Sequence, residues 1–375
     1  MKKLRILASV LAAVLCLSCV PLRAWAASDS LQTVLDAAGQ AERLLGGGTA
    51  DGLLNDQNAC PAGSNFCDWA AFAMAITGQQ EDYDAYLTAL EHYVTQMYMD
   101  ADALTEINGR HRIALAVLAM GGDPTAFGTA ADGSKINLVA DSTYAYPGDL
   151  EEDTTNRMMY ALILLDTKGY TVPDDAKYTR EDLLQMMLDR QNPESGGFGL
   201  TAGGEDLDIT SMTLQALAPY RDDEKVQKAI DAGLDFIQKQ MDENGYYVAF
   251  GTDSSESLSM VILALCALGI DPDTDERFCA GDITPTQALL SYQLDDGGFR
   301  HVASDTEGNF IATQQAMMAL EGVRRLRAGE PGIYDFTAAG SAGVPVYVYI
   351  AGGAVLVLAL VIVLVCVKKR GKKDV

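Results

Sequence analysis

The sequence DITSMTLQAL, residues 208–217, recurs in recognisable form at three other places in the chain. The related segments are DTTNRMMYAL at 153–162, ESLSMVILAL at 256–265 and IATQQAMMAL at 311–320. Their closing leucines lie 55, 48 and 55 residues apart. Self-similarity with a period of about 50 residues is typical of repeat architectures. Weaker copies at 69–76 and 112–120 bring the number of apolar helical segments to six.

Amphipathic segments alternate with these apolar ones. Val226, Ile230, Leu234 and Ile237 recur at helical spacing with charged residues between them, and similar stripes occur around 183–188 and 86–97. A helix that is apolar on all sides must be covered all round, whereas a striped helix needs cover on one side only. The alternation therefore predicts an all-α fold, an α/α toroid (an α6/α6 barrel) of six inner and six outer helices, with almost no support for strands.

A third element follows the outer segments. Gln191 precedes GGFG at 196–199, and the same order of Gln, Gly and an aromatic residue recurs from Gln240 and from Gln293. The glycine suits a helix stop, and the Gln amide can satisfy free backbone groups.

With these motifs, residues from about Cys67 to Phe336 resemble the repeats of squalene cyclases, other terpenoid cyclases and protein prenyltransferases. Their Gln-x-x-x-Gly-x-Trp motif has Phe or Tyr here in place of Trp. The resemblance implies an α/α toroid. The resemblance does not identify the function, because the same toroid occurs in cyclases, lipid transferases, vitamin B12 carriers and thioester-containing defence domains.

Both ends of the chain carry targeting signals. Residues 1–26 combine Lys2, Lys3 and Arg5 at the start, an apolar run and the Ala24-Trp25-Ala26 cleavage pattern, which predicts a signal peptide. Residues 346–367 hold no charge and are long enough for a transmembrane helix. The basic residues of 368–375 favour a cytoplasmic tail. We therefore predict a bacterial surface protein, single-pass type I in the cell membrane, with an extracellular toroid at 27–336 and a linker at 337–345.

The chain is acidic, with 27 Lys and Arg against 52 Asp and Glu and a formal charge of −25. Without the two end segments, residues 27–336 carry a formal charge of −33. Nucleic-acid phosphates require a basic face, so we expect no nucleic-acid partner. A hydrophobic content of 49% also excludes a disordered chain.

Four cysteines remain in the toroid, and an extracellular location permits disulfides. Cys60 and Cys67 flank a turn-forming segment and could close a short loop. Cys266 lies in an apolar run and is expected to pack as a small hydrophobic residue. A disulfide between Cys279 and Cys266 is the alternative.

Asp208 is the candidate catalytic residue. Class II terpenoid cyclases carry an Asp-x-Asp-Asp-Thr-Ala motif whose middle Asp protonates an alkene or epoxide, and DLDITS at 206–211 places Asp208 at that position. Ile209 departs from the motif and removes an acid that would assist proton donation. Alternatively, Asp153, Asp208 and Glu256 begin equivalent inner helices, where an acid caps free N–H groups. We expect capping.

The residues that the other reactions of these families require are few or missing in this chain. Cyclisation needs aromatic faces around a carbocation, and the inner segments offer few: Trp69, Phe72, Tyr160, Tyr220 and Phe310. Protein prenyl transfer needs zinc bound by Asp, Cys and His, but the chain has no Asp-x-Cys pair, and its three histidines lack metal-ligand spacing. Neither a thioester motif nor a Gly-x-Ser-x-Gly elbow occurs. The sequence predicts neither a metal nor a cofactor.

We expect a non-catalytic ligand-binding or interaction module. Its ligand would be a small hydrophobic or corrinoid molecule, or a surface peptide, bound at the mouth of the inner ring. The residues expected to bind it are the rim acids Asp153, Asp206, Asp208 and Glu256. The alternatives are a terpenoid cyclase-like enzyme, a cobalamin-carrier-like receptor that lacks the carriers' closing β domain, and a structural or adhesive domain.

Overall fold

The structure is a computed structural model and describes residues 30–99, 107–151, 153–201, 203–249 and 251–337. The predicted signal peptide, transmembrane helix and tail lie outside these ranges, as does the linker beyond Thr337. None of the helices within them is both long and apolar enough to cross a membrane. The chain divides into two units, Met1–Phe336 and Thr337–Val375, and every helix described below belongs to the first.

The described residues contain twelve α-helices. In chain order they are α1 (30–45), α2 (Asn65–Ile76), α3 (Tyr83–Met99), α4 (Ile107–Ala119), α5 (Leu138–Ser142), α6 (Thr155–Asp166), α7 (Arg180–Leu188), α8 (Leu207–Leu217), α9 (Glu224–Lys239), α10 (Ser255–Ala267), α11 (Pro285–Leu290) and α12 (Phe310–Ala328). Short 3₁₀ turns follow α8 at Ala218–Tyr220 and α10 at Glu276–Phe278.

The even-numbered helices form a closed inner ring. Each contacts the next even-numbered helix along the chain, and α12 contacts α2, which completes the circle. The odd-numbered helices lie outside, where α5, α7, α9 and α11 each pack on an inner helix. This arrangement of six inner and six outer helices is the α/α toroid that the repeat pattern predicts.

Burial separates the two rings as the sequence predicts. The inner helix α10 is buried on most sides, including its small residues Ser255, Ser257 and Ser259. The outer helix α9 buries one stripe and leaves Lys225 and Lys228 exposed. Burying each large apolar side chain contributes about 1.5 to 3 kcal/mol, so one stripe is enough to hold an outer helix against the ring.

The turn after each of α7 and α11 is held by hydrogen bonds. Gln191 Nε2 donates to the carbonyl oxygens of Gly196 at 2.8 Å and Ala229 at 2.7 Å. The buried Phe198 donates its N–H to Oγ1 of Thr210, the threonine of the repeat, at 2.8 Å. The turn after α11 repeats the Gln and Thr contacts. These bonds confirm the predicted role of the Gln and explain why Thr recurs in the first turns of the inner helices α8 and α12.

Gly196 turns the chain where no side chain fits. Its φ is +82°, and a Cβ built there would lie 2.4 Å from the carbonyl oxygen of Ala232. Gly203 has a similar φ of 80° but open space around it. We expect Gly196→Ala to lower the free energy of unfolding by about 1 to 3 kcal/mol more than Gly203→Ala does. Thermal unfolding of both variants measures this, and equal losses would contradict a steric role for Gly196.

Two short antiparallel hairpins interrupt the helical pattern. β1 (Phe198–Gly199) pairs with β2 (Glu205–Asp206), and β3 (Val248–Ala249) pairs with β4 (Thr252–Asp253). Strands of two residues leave no alternating pattern, which is why the sequence did not indicate them. They matter for function because they lead directly into α8 and α10.

The segment after α12 packs over the C-terminal parts of the inner helices α2 and α6. Ile333 is buried, and the Tyr334 ring stacks on that of Phe72 with 5.4 Å between centroids. The N–H of Phe336 donates to the carbonyl oxygen of Thr167, directly after α6, at 2.8 Å. One end of the ring is therefore covered by the chain itself, and the first residues of α2, α8, α10 and α12 surround the other.

Candidate functional site

A cavity of about 270 Å³ lies inside the ring. Five of the six inner helices contribute to its wall, together with Tyr334 from the covering segment. The lining residues are Asn65, Phe66, Trp69, Met159, Tyr160, Ile163, Asp208, Met212, Gln215, Glu256, Met260, Ile311, Gln314, Gln315, Met318 and Tyr334. The wall is mainly apolar, with six polar or acidic residues on it.

Asp208 lines the cavity from the second position of α8. It is not the helix cap, because Asp206 occupies that place and accepts a hydrogen bond from the N–H of Ile209 at 2.8 Å. Oδ1 of Asp208 is buried and has no hydrogen-bond partner among the described residues. Burial raises the pKa of Asp208 to about 6, assisted by the charges of Asp206 and Glu256 and opposed by a hydrogen bond with Ser257. The prediction that Asp208 caps α8 is wrong.

Glu256 lines the cavity from the second position of α10. Here too the cap is another residue, since Ser254 accepts the hydrogen bond from the N–H of Ser257 at 3.1 Å. Both carboxylate oxygens of Glu256 lie 2.9 Å from Nδ1 of His301 in the loop before α12. The sequence around His301 does not indicate this contact, because two residues 45 positions apart leave no trace in local spacing.

The other two predicted acids do not line the cavity. Asp153 precedes α6, accepts a hydrogen bond from the N–H of Thr154 at 3.0 Å and forms an ion pair with Arg157. Asp206 serves as the cap of α8. Of the four rim acids, the structure brings Asp208 and Glu256 to the cavity. Within the described ranges, no group of three or more His, Cys, Asp or Glu side chains is arranged to hold a metal ion.

The apolar wall contains aromatic rings and methionines. Trp69 and Tyr160 lie with their ring centroids 5.6 Å apart, and Tyr334 joins them from the C-terminal side. The other predicted aromatics lie elsewhere: Phe72 is fully buried behind Tyr334, and Tyr220 donates a hydrogen bond to Asp166 outside the cavity. Methionine supplies the remaining flexible surface, from Met159, Met212, Met260 and Met318.

Glutamine amides complete the polar part of the wall. Gln314 is only 2% exposed, and its Oε1 has no hydrogen-bond partner in the described part of the chain. Gln215 is also buried, and its amide nitrogen contacts the carbonyl oxygen of Ser211 at 3.4 Å. Buried polar atoms in native proteins normally have a partner. The Oε1 atom of Gln314 is therefore free, among the described residues, to accept a hydrogen bond from a bound molecule or an ordered water.

The four cysteines of the toroid are free thiols in this structure. Cys60 and Cys67 lie side by side, and the hydrogen bond between them raises the pKa of Cys60 and lowers that of Cys67. Cys279 instead places its Sγ 3.5 Å from the carbonyl oxygen of Asp275, and Cys266 packs beside α12. The arrangement favours Cys60 and Cys67 as the pair that can form a disulfide.

We predict that Cys60 and Cys67 become oxidised outside the cytoplasm, by exchange with the disulfide of a thiol oxidoreductase that takes up their two hydrogens. Alkylation of the denatured chain without reductant, followed by peptide mass spectrometry, should modify Cys266 and Cys279 but neither member of the pair. Closing this short loop should stabilise the fold by about 2 kcal/mol. Alkylation of all four cysteines would contradict the prediction.

No protein-family model and no curated protein sequence matches the chain. Protein geranylgeranyltransferase-I of Candida albicans, complexed with GGPP, is similar in structure, with 11% sequence identity and a TM-score of 0.48, over 70% of this chain and 85% of that chain. A variant of UGL with dGlcA-Glc-Rha-Glc is similar with 12% identity and a TM-score of 0.44, over 72% of this chain and 87% of that chain.

Proposed function

We propose that the toroid is the ligand-binding domain of a membrane-anchored cell-surface protein, and that it binds a small, partly apolar molecule without converting it. The supporting observation is a cavity with apolar walls in which buried acceptor atoms of Asp208 and Gln314 have no hydrogen-bond partner among the described residues. Apolar walls with a few convergent polar groups are typical of small-molecule sites. In this proposal Asp208 and Glu256 contact the ligand, and Asp206 fixes the start of α8 as its cap.

Native mass spectrometry of the full-length chain, released from detergent after growth in several media, tests the proposal. We expect a retained small molecule in the unmodified protein. Met212→Trp places a larger side chain in the cavity and should abolish retention, whereas the same substitution at the exposed Met99 should leave it unchanged. An empty cavity from every medium would contradict ligand binding and favour the adhesive role.

The surface location rests on the two end segments. If residues 1–26 are a cleaved signal peptide and 346–367 anchor the protein, the mature chain begins at Ala27 or Ser28. A chain truncated after Phe336 should then appear in the medium. Retention of the truncated chain inside the cell would contradict this location.

A cyclase-like reaction is the second candidate. A carboxyl with a pKa of about 6 retains a proton more readily than an ordinary Asp, as a general acid requires, and Trp69 and Tyr160 supply aromatic faces. Incubation with polyprenes should then give a cyclised product that Asp208→Asn abolishes. Absence of product leaves binding favoured.

A corrinoid receptor is the third candidate. The cavity of about 270 Å³ is small beside the about 300 to 1,000 Å³ of ordinary ligand sites, so a corrinoid would have to bind at the open mouth of the ring. The visible absorbance of a corrinoid would identify it in the purified protein.

A further inference from the structure

The charged side chains that line the ring cavity are all acidic. Asp208 and Glu256 bring carboxyl groups to it, and none of the described residues that line it is Lys, Arg or His. Oδ1 of Asp208 and Oε1 of Gln314 are both acceptors, and both are buried without a hydrogen-bond partner among the described residues. Gln314, at 2% exposure, has almost no access to bulk solvent. Both oxygens are therefore available to accept hydrogen bonds from a molecule in the cavity.

The apolar wall and the charge of the chain also favour a cation with an apolar body. The faces of Trp69 and Tyr160 carry the negative side of an aromatic quadrupole, which attracts cations. Methionine side chains adapt to irregular apolar shapes. The formal charge of −25 on the whole chain raises the local concentration of cations and repels anions.

We propose that the ring cavity selects a compact molecule with a protonated amine at one end and an apolar body. This inference rests on the proposed ligand-binding function and specifies the class of its ligand. An ammonium group has three donors and no acceptor, which matches a wall with carboxyl and amide oxygens to be satisfied. Asp208 accepts from the amine in a charge-assisted hydrogen bond, and Gln314 offers a second acceptor. Glu256, whose carboxylate oxygens lie 2.9 Å from Nδ1 of His301, is the second carboxyl group of the lining.

The volume limits the apolar body. Because the cavity holds about 270 Å³, it suits a single ring or a short branched chain better than a long lipid. Suitable probes are 2-phenylethylamine, its neutral counterpart 2-phenylethanol, and the anion 3-phenylpropionate. These probes share a phenyl ring and differ mainly in the charge of the end group.

Titration calorimetry with the full-length chain in detergent measures the preference. We expect the amine to bind at least about tenfold more tightly than the alcohol, and the anion more weakly than either. Asp208→Asn should weaken binding of the amine by about tenfold and leave the alcohol within about twofold. Asp153 aligns with Asp208 in the repeat but is paired with Arg157 outside the lining. Asp153→Asn is therefore the matched control and should change neither affinity.

The outcomes separate this inference from the proposed function. Equal affinities for amine and alcohol, or an equal effect of Asp153→Asn and Asp208→Asn, would overturn the preference for amines while leaving ligand binding intact. Failure of all three probes to bind would overturn the inference, whereas the ligand-retention experiment still decides the proposed function. Thermal unfolding checks that Asp208→Asn is folded. If it is not, Gln314→Met removes the other acceptor and should weaken only the amine.

Discussion

Replacing Asp68 by Ala should lower the free energy of unfolding by about 3 to 5 kcal/mol, the usual loss when one partner of a buried ion pair is removed. Asp68 lies in α2 and is fully buried. Its carboxylate accepts hydrogen bonds from Arg112 Nε at 2.9 Å, the Tyr86 hydroxyl at 2.8 Å and the Gly63 N–H at 2.9 Å. One side chain thus joins α2 to α3, to α4 and to the loop before α2. Without it, three donors, one of them charged, lose their acceptor.

Chemical unfolding of the full-length chain measures this loss. Asp68→Asn keeps the shape and one acceptor oxygen but removes the charge, so it should fall between Asp68→Ala and the unmodified protein. Asp84 in α3 is exposed, and Asp84→Ala should change the stability by less than about 0.5 kcal/mol. A loss below about 1 kcal/mol for Asp68→Ala would show that the polar network is not what joins these helices.

The ring could be predicted from sequence because its repeat combines three signals that agree. Helical periodicity separates inner from outer helices, the Gln and Gly residues mark the turns, and the spacing of the repeat gives the number of pairs. The covered end of the ring could not be predicted. Residues 329–336 follow the last repeat, so nothing in the earlier repeats indicates that Tyr334 packs on Phe72. The two hairpins also escaped prediction, since each strand has two residues.

The sequence predicts only those residues of the site that occupy matching positions in the repeat. That register places Asp208 and Glu256 at matching positions, and both line the cavity. Which acid caps α8 depends on the residue at which the helix begins, and sequence locates helix ends only to within one or two residues. An error of two residues in the predicted start of α8 is enough to assign the cap to Asp208 instead of Asp206. The contacts of His301 and the unpaired oxygen of Gln314 depend on packing between different repeats, which local patterns do not contain.

Replacing Glu42 by Met should raise the free energy of unfolding by about 1 to 3 kcal/mol, the usual cost of a buried polar group without a partner. Glu42 lies in α1 and is fully buried, and neither carboxylate oxygen has a hydrogen-bond partner in the part of the chain that the structure describes. Burial raises its pKa well above the ordinary value, and the nearby Cys67 adds to the shift. Met keeps the length of the side chain and removes the ionisable group.

The pH dependence distinguishes this explanation from simple repacking. Because the folded chain holds the Glu42 proton to a higher pH than the unfolded chain, the stability that Glu42 contributes falls as pH rises above about 4.3, the ordinary pKa of Glu. Glu42→Met should therefore raise the unfolding temperature more at pH 8 than at pH 5, as followed by Trp69 fluorescence. Glu42→Gln should remove the same pH dependence but recover less stability, because its amide still lacks partners. An equal gain at both pH values would assign the effect to packing, and a loss of stability would mean that the carboxyl has a partner in the folded protein.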